Sequence, residues 1–445
     1  MSVTEPVPPA LATLLTDDAI GRSALRKASW RLIPLIALGY GIAYMDRLNI
    51  SFASLQMNRD LHFSASIYGF GAGLFFVSYA ACEIPSNLLL YRVGARRWFA
   101  RIMLTWGLLA MGMMFVKTPV QFYVMRFLLG MAEAGFFPGV IFYLAQWFPA
   151  HMRARAISRF YISFPLGSVL MGVIAGGLLG LQGKAGLAGW QWLFLAEGLP
   201  AVLLSIVFWL YLPAAPVEAR WLTEDERQWI LHHVNYGDAV DPHSENVRRV
   251  LRDPRVWQIS LLFLCMLTCS YAYIFSAPAI LQAITALSNR NVGFLVATMS
   301  LLGAPCMILN AMHSDHTRER HLHIAIPFLV MAGGYFIGGL SIAPFLAVPA
   351  LAIASLSYFS MQGPLLGLAS SFLHGKSAAA GIATMNTIGI LGGFAGPYWM
   401  GLAKDFTGTY QPGLLTLIVP SLVGAATLLM MRSRSKAGGQ RWRTQ

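Results

Sequence analysis

Charged side chains are scarce in this chain of 445 residues: Asp, Glu, Lys and Arg make up 11% of it, whereas hydrophobic residues make up 56%. Soluble domains carry about 25% charged residues. Apolar stretches recur from one end of the sequence to the other, so they face lipid as well as a core. The composition therefore excludes an ordinary soluble protein and predicts a helical protein that crosses a bilayer many times.

Other features that the sequence lacks exclude several classes of function. The full phosphate-binding motif Gly-x-x-x-x-Gly-Lys-Ser/Thr is absent, since Gly375-Lys376-Ser377 has Ser370 where the motif needs its first glycine, so ATP is not expected as the energy source. All four cysteines fall within apolar stretches, and Cys265 and Cys269 have no histidine nearby, so neither a metal site nor a disulfide framework is expected. The polar segments are too short for a catalytic or nucleic-acid-binding domain. We therefore expect no enzyme activity, no cofactor and no nucleic-acid partner.

Twelve apolar runs have the length that a membrane-spanning helix requires, about 20 residues. They are too long for the strands of a membrane barrel, so the predicted fold class is an all-α membrane protein with two bundles of six helices. The predicted spans are 31–53, 67–91, 98–116, 120–148, 156–181, 190–212, 256–284, 291–311, 322–340, 344–368, 377–402 and 411–432.

Lys and Arg residues are concentrated on one side of the predicted bundle. Most of the 32 fall in the N-terminal segment, the loops after the second and fourth spans, the middle loop and the C-terminal tail. Because cytoplasmic loops are enriched in Lys and Arg, this side is predicted to be cytoplasmic, and both termini lie there. The N-terminal segment shows no signal-peptide pattern. We expect a multi-pass protein of the inner (cytoplasmic) membrane.

One long polar stretch divides the chain into halves. It begins with Pro213 and contains Thr223 and Glu226, whose spacing fits a capping box at the start of a short helix. The two halves resemble each other weakly at an offset of about 225 residues, as parallel repeats do in transporters. The predicted organisation is a cytoplasmic N-terminal segment at 1–30, a six-helix bundle at 31–212, a cytoplasmic linker at 213–255, a second six-helix bundle at 256–432 and a basic cytoplasmic tail at 433–445.

Ionisable residues inside a bilayer are costly and usually mark a functional pathway. Asp46 and Arg47 lie in the first predicted span, and Arg126 and Glu133 lie in the fourth. We expect Asp46 and Arg47 to point in different directions from one helix, and all four groups to surround one cavity. One interpretation is that they form structural ion pairs. The other, which we favour, is that the acids bind protons and free the arginines for an anion.

Two further acids have weaker interpretations. Glu83 lies close to the basic loop after the second span and is interpreted as a gate or packing residue. Glu197 lies near the outer end of the sixth span and is interpreted as structural. The second half offers neutral polar groups in place of charges, among them Ser370 and Asn386.

Arginine suits an anion site because it stays charged and holds a carboxylate through two parallel hydrogen bonds. A buried carboxylic acid binds a proton more readily because desolvation disfavours its charged form, and a neighbouring arginine opposes that effect. Proton binding and anion binding therefore influence each other, which is the physical basis of proton–anion symport.

Six stretches carry a family pattern: Tyr44-Met45-Asp46-Arg47-Leu48-Asn49-Ile50, Glu83-Ile84-Pro85-Ser86-Asn87-Leu88, Gly94-Ala95-Arg96-Arg97-Trp98, the run from Arg126 to Gly139, Glu197-Gly198-Leu199-Pro200 and Trp221-Leu222-Thr223. In them the chain resembles the major facilitator superfamily, and within it the anion–cation symporter family. Bacterial members of that family include permeases for tartrate, galactonate, glucarate, phthalate and hydroxyphenylacetate. The resemblance covers nearly the whole chain and implies two six-helix bundles that open a central site to each side of the membrane in turn.

The resemblance also implies roles for individual residues. Arg47 matches the arginine that binds the substrate carboxylate, and Arg126 matches the arginine that interacts with the acid of the fourth helix. The implied substrate-binding residues are Arg47, Tyr44, Tyr79, Arg126, Ser370 and Asn386, the implied proton-coupling residues are Asp46 and Glu133, and the implied gating residues are Arg92, Arg96, Arg97 and Asp315.

Three departures from the family pattern bear on the gate and on the substrate. Tyr91 replaces the acid that usually precedes the basic residue in the loop after the second helix, and His316 replaces an arginine in the second-half copy. Both replacements weaken the expected latch of the gate. Phe164 is apolar where some sugar-acid permeases carry a polar residue, which disfavours galactonate and permits a less hydroxylated or aromatic acid.

The function expected from these observations is proton-coupled uptake of a small organic carboxylate, such as a tartrate-like hydroxy acid or a sugar acid, driven by the proton motive force. The alternatives are an aromatic acid permease, metabolite or drug efflux, and a membrane sensor that binds without transport. Sodium coupling in place of proton coupling also stays open. The expected partners are the small organic anion, protons and the lipid bilayer, and the expected state is a monomer.

Overall fold

A computed structural model describes residues 9–234, 252–340, 343–372 and 376–441. Within these ranges the chain forms seventeen α-helices and no strand. The helices are α1 Pro9–Asp60, α2 Ala65–Val93, α3 Ala95–Gly112, α4 Pro119–Glu133, α5 Phe136–Ala145, α6 Ala150–Tyr161, α7 Ser163–Leu179, α8 Gly189–Tyr211, α9 Glu224–His233, α10 Pro254–Thr285, α11 Asn289–Thr317, α12 His321–Leu340, α13 Pro344–Phe372, α14 Lys376–Ile390, α15 Gly392–Thr407, α16 Gln411–Thr416 and α17 Ile418–Arg441. The predicted all-α fold class is confirmed.

The twelve predicted membrane crossings map onto these helices. Ten crossings in the described part of the chain are long and apolar enough to span a membrane: α2, α3, α4 with α5, α6 with α7, α8, α10, α11, α12, α13, and α16 with α17. The first crossing is the long helix α1, whose apolar stretch is interrupted by Asp46, Arg47 and Asn49. The eleventh crossing is shared by α14 and α15, which meet at Leu391.

The helices of the first and fourth spans add detail that the predicted spans do not contain. Helix α1 begins at Pro9, because helical hydrogen bonding continues through the polar segment ahead of the predicted span 31–53. The fourth span is two helices, since α4 ends at Glu133 and α5 begins at Phe136.

The break in the fourth span is fixed by Gly135. Its φ of +86° lies in the left-handed region that favours glycine. A Cβ atom at this position would also lie 2.3 Å from the Ser86 hydroxyl oxygen, so a larger residue does not fit. Ser86 in α2 donates a hydrogen bond of 2.6 Å to the carbonyl of Ala134, which satisfies a backbone group that the break leaves without a helical partner. The break makes Glu133 the last residue of α4.

The two halves pack closely at the ends of the helices opposite the basic loops, which we call the outer side. Helix α7 contacts α11 there, and α2 contacts α15. A Cβ atom on Gly172 would lie 2.6 Å from the carbonyl oxygen of Gly293, and one on Gly69 would lie 2.3 Å from that of Pro397. Asp405 accepts hydrogen bonds from the backbone N–H groups of Ala65 and Ser66, at 2.9 and 2.8 Å. The outer side is therefore closed in this conformation.

The linker helix α9 docks onto the first half. Its capping box is confirmed: the Thr223 hydroxyl accepts from the Glu226 N–H, and the Glu226 carboxylate accepts from the Thr223 N–H. Glu226 also accepts hydrogen bonds from Ser23 and Lys27 in α1, at 2.7 and 2.8 Å. Burial raises the pKa of Glu226, but the hydrogen bonds from Lys27, Thr223 and Ser23 outweigh it and lower the pKa below its usual value. The linker is therefore attached to α1 through one carboxylate.

Candidate functional site

An ion pair between α1 and α4 lies at the centre of the first half. Arg47 donates from Nη2 to Oε1 of Glu133, and both side chains are buried. The Arg47 guanidinium also lies 5.4 Å from the ring centres of Phe75 and Tyr79. Among the described residues, the Arg47 Nε and the second Glu133 oxygen have no hydrogen-bond partner. The pair therefore keeps one donor and one acceptor for another molecule.

The ion-pair partner of Glu133 is Arg47, and Arg126 interacts with Glu133 electrostatically without forming an ion pair. Arg126 stands seven residues before Glu133 in α4, which separates the two by roughly 10 Å along the helix axis. No ion pair joins them within the described chain, and Glu133 pairs with Arg47 from the neighbouring helix instead. Arg126 is fully buried, donates to the carbonyl of Ala72 at 3.4 Å and lies 5.0 Å from the ring centre of Phe75. Its Nε and Nη1 have no partner in the described residues.

Asp46 belongs to the same charge cluster on the other side of α1. It is 1% exposed, accepts from Asn49 at 3.0 Å and interacts electrostatically with Glu133 and Arg126. Its other oxygen has no partner within the described chain. Two acids and two arginines therefore share one buried region, and each keeps a polar atom for a ligand or a proton.

Glu197, which the sequence analysis interprets as structural, lies beside the charge cluster. The structure buries it in α8, where it interacts with Asp46 and Asn49, and neither of its oxygens has another hydrogen-bond partner in the described part of the chain. The indole N–H of Trp106 in α3 is likewise buried and interacts with Asp46. A signal was available, because Glu197 stands inside an apolar run, eight residues after the start of its helix. Because Glu197 is predicted near the outer end of its span, the sequence alone gives no reason to expect its interaction with Asp46 and Asn49.

Aromatic rings line the space between the halves. Tyr44 is buried and packs edge-on against Phe164, with ring centres 4.3 Å apart, and Phe164 packs at 5.6 Å against Phe359 of the second half. A small cavity of about 40 Å³ lies beside them, towards the outer side from Arg47. Its lining is apolar or hydroxylic and comes from both halves: Tyr44, Leu48, Ser51, Phe52, Ser168, Tyr273, Ile274, Ala277, Val296, Met299, Ser300, Ser355 and Phe359.

One hydrogen-bonded contact joins the halves towards the basic side. Asn386 in α14 donates from its amide to both carboxylate oxygens of Glu83 in α2, at 2.9 and 3.1 Å. Asn386 of the second half therefore contacts the first half, and its hydrogen-bond partner is Glu83. Ser370 belongs to α13, but its side chain lies outside the described residues.

The four predicted gating residues make no described contact between the halves. Arg96 pairs with Glu218 of the linker, and Asp315 lies 3.8 Å from Arg320 of its own half. Arg92 and Arg97 are exposed and pair with no acid in the described part of the chain. Their role as gating residues stays a prediction.

The sequence pattern of the Major Facilitator Superfamily matches residues 36–397 of this chain. The chain belongs to the major facilitator superfamily. A relative from Agrobacterium vitis named "Putative tartrate transporter" is 43% identical over 95% of this chain and 94% of its own length. A relative from Acinetobacter baumannii named "Quinolone resistance transporter" is 38% identical over 91% of this chain and 93% of its own length.

A solved structure confirms the fold of this superfamily member. The bacterial homologue of the human lysosomal transporter Spinster, in an inward-facing and occupied conformation, superposes with a TM-score of 0.74. It is 16% identical, and the match covers 90% of this chain and 96% of that one. Family and relatives together establish a secondary transporter of organic substrates, a multi-pass inner-membrane protein and not an enzyme.

Proposed function

We propose that this chain takes up a small organic carboxylate together with protons, by alternating access between its two halves. The observation that carries the proposal is the buried Arg47–Glu133 pair, which leaves the Arg47 Nε and one Glu133 oxygen without partners in the described residues. A guanidinium with a spare donor can grip a substrate carboxylate. A carboxylate with a spare oxygen can accept a proton.

The coupling follows from competition for Arg47. With Glu133 charged, Arg47 is held by an internal partner and the substrate must displace it. A proton on Glu133 removes that competitor, so protonation and anion binding favour each other. After substrate and proton leave, the Arg47–Glu133 pair forms again. The empty transporter can then reopen to the outside without an unpaired charge in its buried site. Asp46, beside Arg126, serves as a second proton-binding acid in this proposal.

The walls of the site support a compact acid with few hydroxyl groups. Tyr79 lies beside the Arg47 guanidinium, and Tyr44 packs against Phe164. All three rings are buried, and they offer ring faces and two phenol groups. The relatives from Agrobacterium vitis carry tartrate in their names, which supports a hydroxy acid as the first candidate substrate. An aromatic acid comes second because of the ring-lined walls. Efflux is a further candidate, since one relative is named for quinolone resistance.

Uptake into proteoliposomes tests the proposal. Tartrate, a sugar acid and an aromatic acid are supplied outside, with an inward proton gradient imposed in sodium or choline buffer. We expect accumulation of at least one of these acids that depends on the proton gradient and is unchanged by choline. Export without import would favour efflux, and binding without transport would favour a sensor.

A further inference from the structure

A second cleft lies at the cytoplasmic surface of the first half, far from the charge cluster. It has a volume of about 420 Å³ and lies between the turn that joins α2 to α3 and the end of α8. We call it the interfacial cleft, and its lining is Tyr91, Arg92, Val93, Gly94, Arg96, Arg97, Trp209, Ala214 and Glu218. Three arginines face one glutamate there, so the cleft is positively charged.

The charge of the interfacial cleft is only partly compensated. Arg96 pairs with Glu218, whose carboxylate also accepts from the N–H of Ala214 at 3.3 Å. Arg92 and Arg97 pair with no acid in the described part of the chain. Helix α3 begins at the cleft with no side chain capping its first turn and no acid in it. Its free N–H groups add positive potential at the position where the arginines converge.

The depth of the cleft favours a lipid over a soluble anion. Trp209 and Tyr211 end α8 and are 53% and 73% exposed, as expected of aromatic side chains at the headgroup level of a bilayer. Leu210 between them, and Leu203 and Ile206 deeper in the helix, are exposed along the lipid-facing surface of α8. An acyl chain that leaves the cleft therefore finds a continuous apolar surface, whereas inorganic phosphate would leave that surface unused.

We propose that the interfacial cleft binds the phosphate headgroup of an anionic phospholipid, with Arg92 and Arg97 as its ligands and Glu218 as a competing internal anion. Basic pockets at the cytoplasmic face attract anionic headgroups, and each arginine near the surface strengthens binding roughly fivefold. The proposal uses none of the residues of the central site and is independent of the substrate.

Native mass spectrometry of the full chain in detergent tests the lipid site, with phosphatidylglycerol and phosphatidylcholine titrated in parallel. We expect tighter binding of phosphatidylglycerol, weakened roughly 25-fold by the double change Arg92→Gln with Arg97→Gln. The control is Arg155→Gln with Arg159→Gln, which removes the same charge from exposed positions on the same side of the membrane but outside the cleft. The control should leave the affinity within about twofold.

The change Glu218→Gln has the opposite predicted sign. It frees Arg96 and should tighten phosphatidylglycerol binding roughly fivefold, which a misfolded variant would not do. Equal affinity for the two lipids, or equal weakening in the control variant, would overturn the proposal. Displacement of phosphatidylglycerol by millimolar inorganic phosphate would overturn the assignment to a lipid and leave a soluble anion as the ligand.

Discussion

Arg47 and Glu133 stand 86 residues apart in the sequence and form a buried ion pair in the structure. The pair joins α1 to the last residue of α4, where the helix breaks at Gly135. Helix breaks at the level of a transported ligand are common in membrane transporters, because they free backbone and side-chain groups for it. Here the break frees the end of α4 and puts its terminal acid against the arginine of α1.

The change Arg47→Lys should abolish most substrate binding while the protein still folds. A lysine can neutralise Glu133 but cannot offer the planar pair of donors that a carboxylate accepts. We expect a loss of about 3 kcal/mol or more, which is roughly a hundredfold in affinity. Isothermal titration with the acid that the uptake panel identifies measures it.

The double change Arg47→Gln with Glu133→Gln, which removes both members of the ion pair, is the control for that experiment. If Arg47 serves only to balance buried charge, removal of both charges should restore binding. Recovery of affinity in the double variant would therefore contradict the role of Arg47 as an anion ligand.

The change Asn386→Ala should loosen the halves towards the basic side. It removes both hydrogen bonds to the Glu83 carboxylate, and such bonds to a charged group contribute about 1.5–3 kcal/mol each. We expect longer spin-label distances between the basic-side ends of α5 and α11. Asn310 is the matched control, because it bonds to His323 and Ser360 of its own half. Asn310→Ala should lower the melting temperature and leave these distances unchanged.

The change Gly172→Val should prevent closure of the outer side. Even a Cβ atom at this position would lie 2.6 Å from the Gly293 carbonyl oxygen, so the two helices must separate to admit a valine. We expect longer spin-label distances between the outer ends of α7 and α11, with loss of accumulation in proteoliposomes. Gly177 in the same helix has no atom within 4 Å of its Cβ position, so Gly177→Ala should change neither. Normal closure in Gly172→Val would contradict the packing described here.

The attachment of the linker should depend on pH through Glu226. Its pKa is lowered in the folded chain, so the contact with Lys27 and Ser23 stabilises the protein above the ordinary carboxyl pKa of about 4.3 and is lost as the pH falls through the lower folded value. Glu226→Gln should therefore lower the melting temperature at neutral pH, and the gap to the wild type should close on acidification. Glu224, which is exposed in the same helix, provides the control: Glu224→Gln should shift the melting temperature little at any pH. A gap for Glu226→Gln that persists in acid would contradict this assignment.

The membrane topology could be predicted because it depends on patterns within the sequence. Apolar length determines the spans, and alternating basic loops determine the orientation. The break after Glu133 could not be located from the sequence, because it depends on a contact with another helix. Ser86 of α2 occupies the space that a side chain on Gly135 would need, and it donates a hydrogen bond to the carbonyl of Ala134. The extension of α1 back to Pro9 could not be predicted from apolar content, because helical hydrogen bonding does not require apolar residues.

The members of the charge cluster could be predicted, but their pairing could not. Asp46, Arg47, Arg126 and Glu133 are visible as ionisable residues in apolar runs. Which arginine meets Glu133 depends on the rotation of α1 against α4, and that rotation is set by packing with α7 and α8. The electrostatic interaction of Glu197 with Asp46 depends on the same packing.

Transport by the Glu133→Gln variant tests the central claim most directly. Wild-type and variant proteoliposomes are compared under an inward proton gradient, with exchange of labelled for unlabelled substrate measured in the same vesicles. Glutamine cannot carry the proton, and it no longer holds Arg47 as a charged partner. The proposal predicts that the variant still exchanges substrate but does not accumulate it above equilibrium. Accumulation by Glu133→Gln to the wild-type level would contradict proton coupling through the Arg47–Glu133 pair.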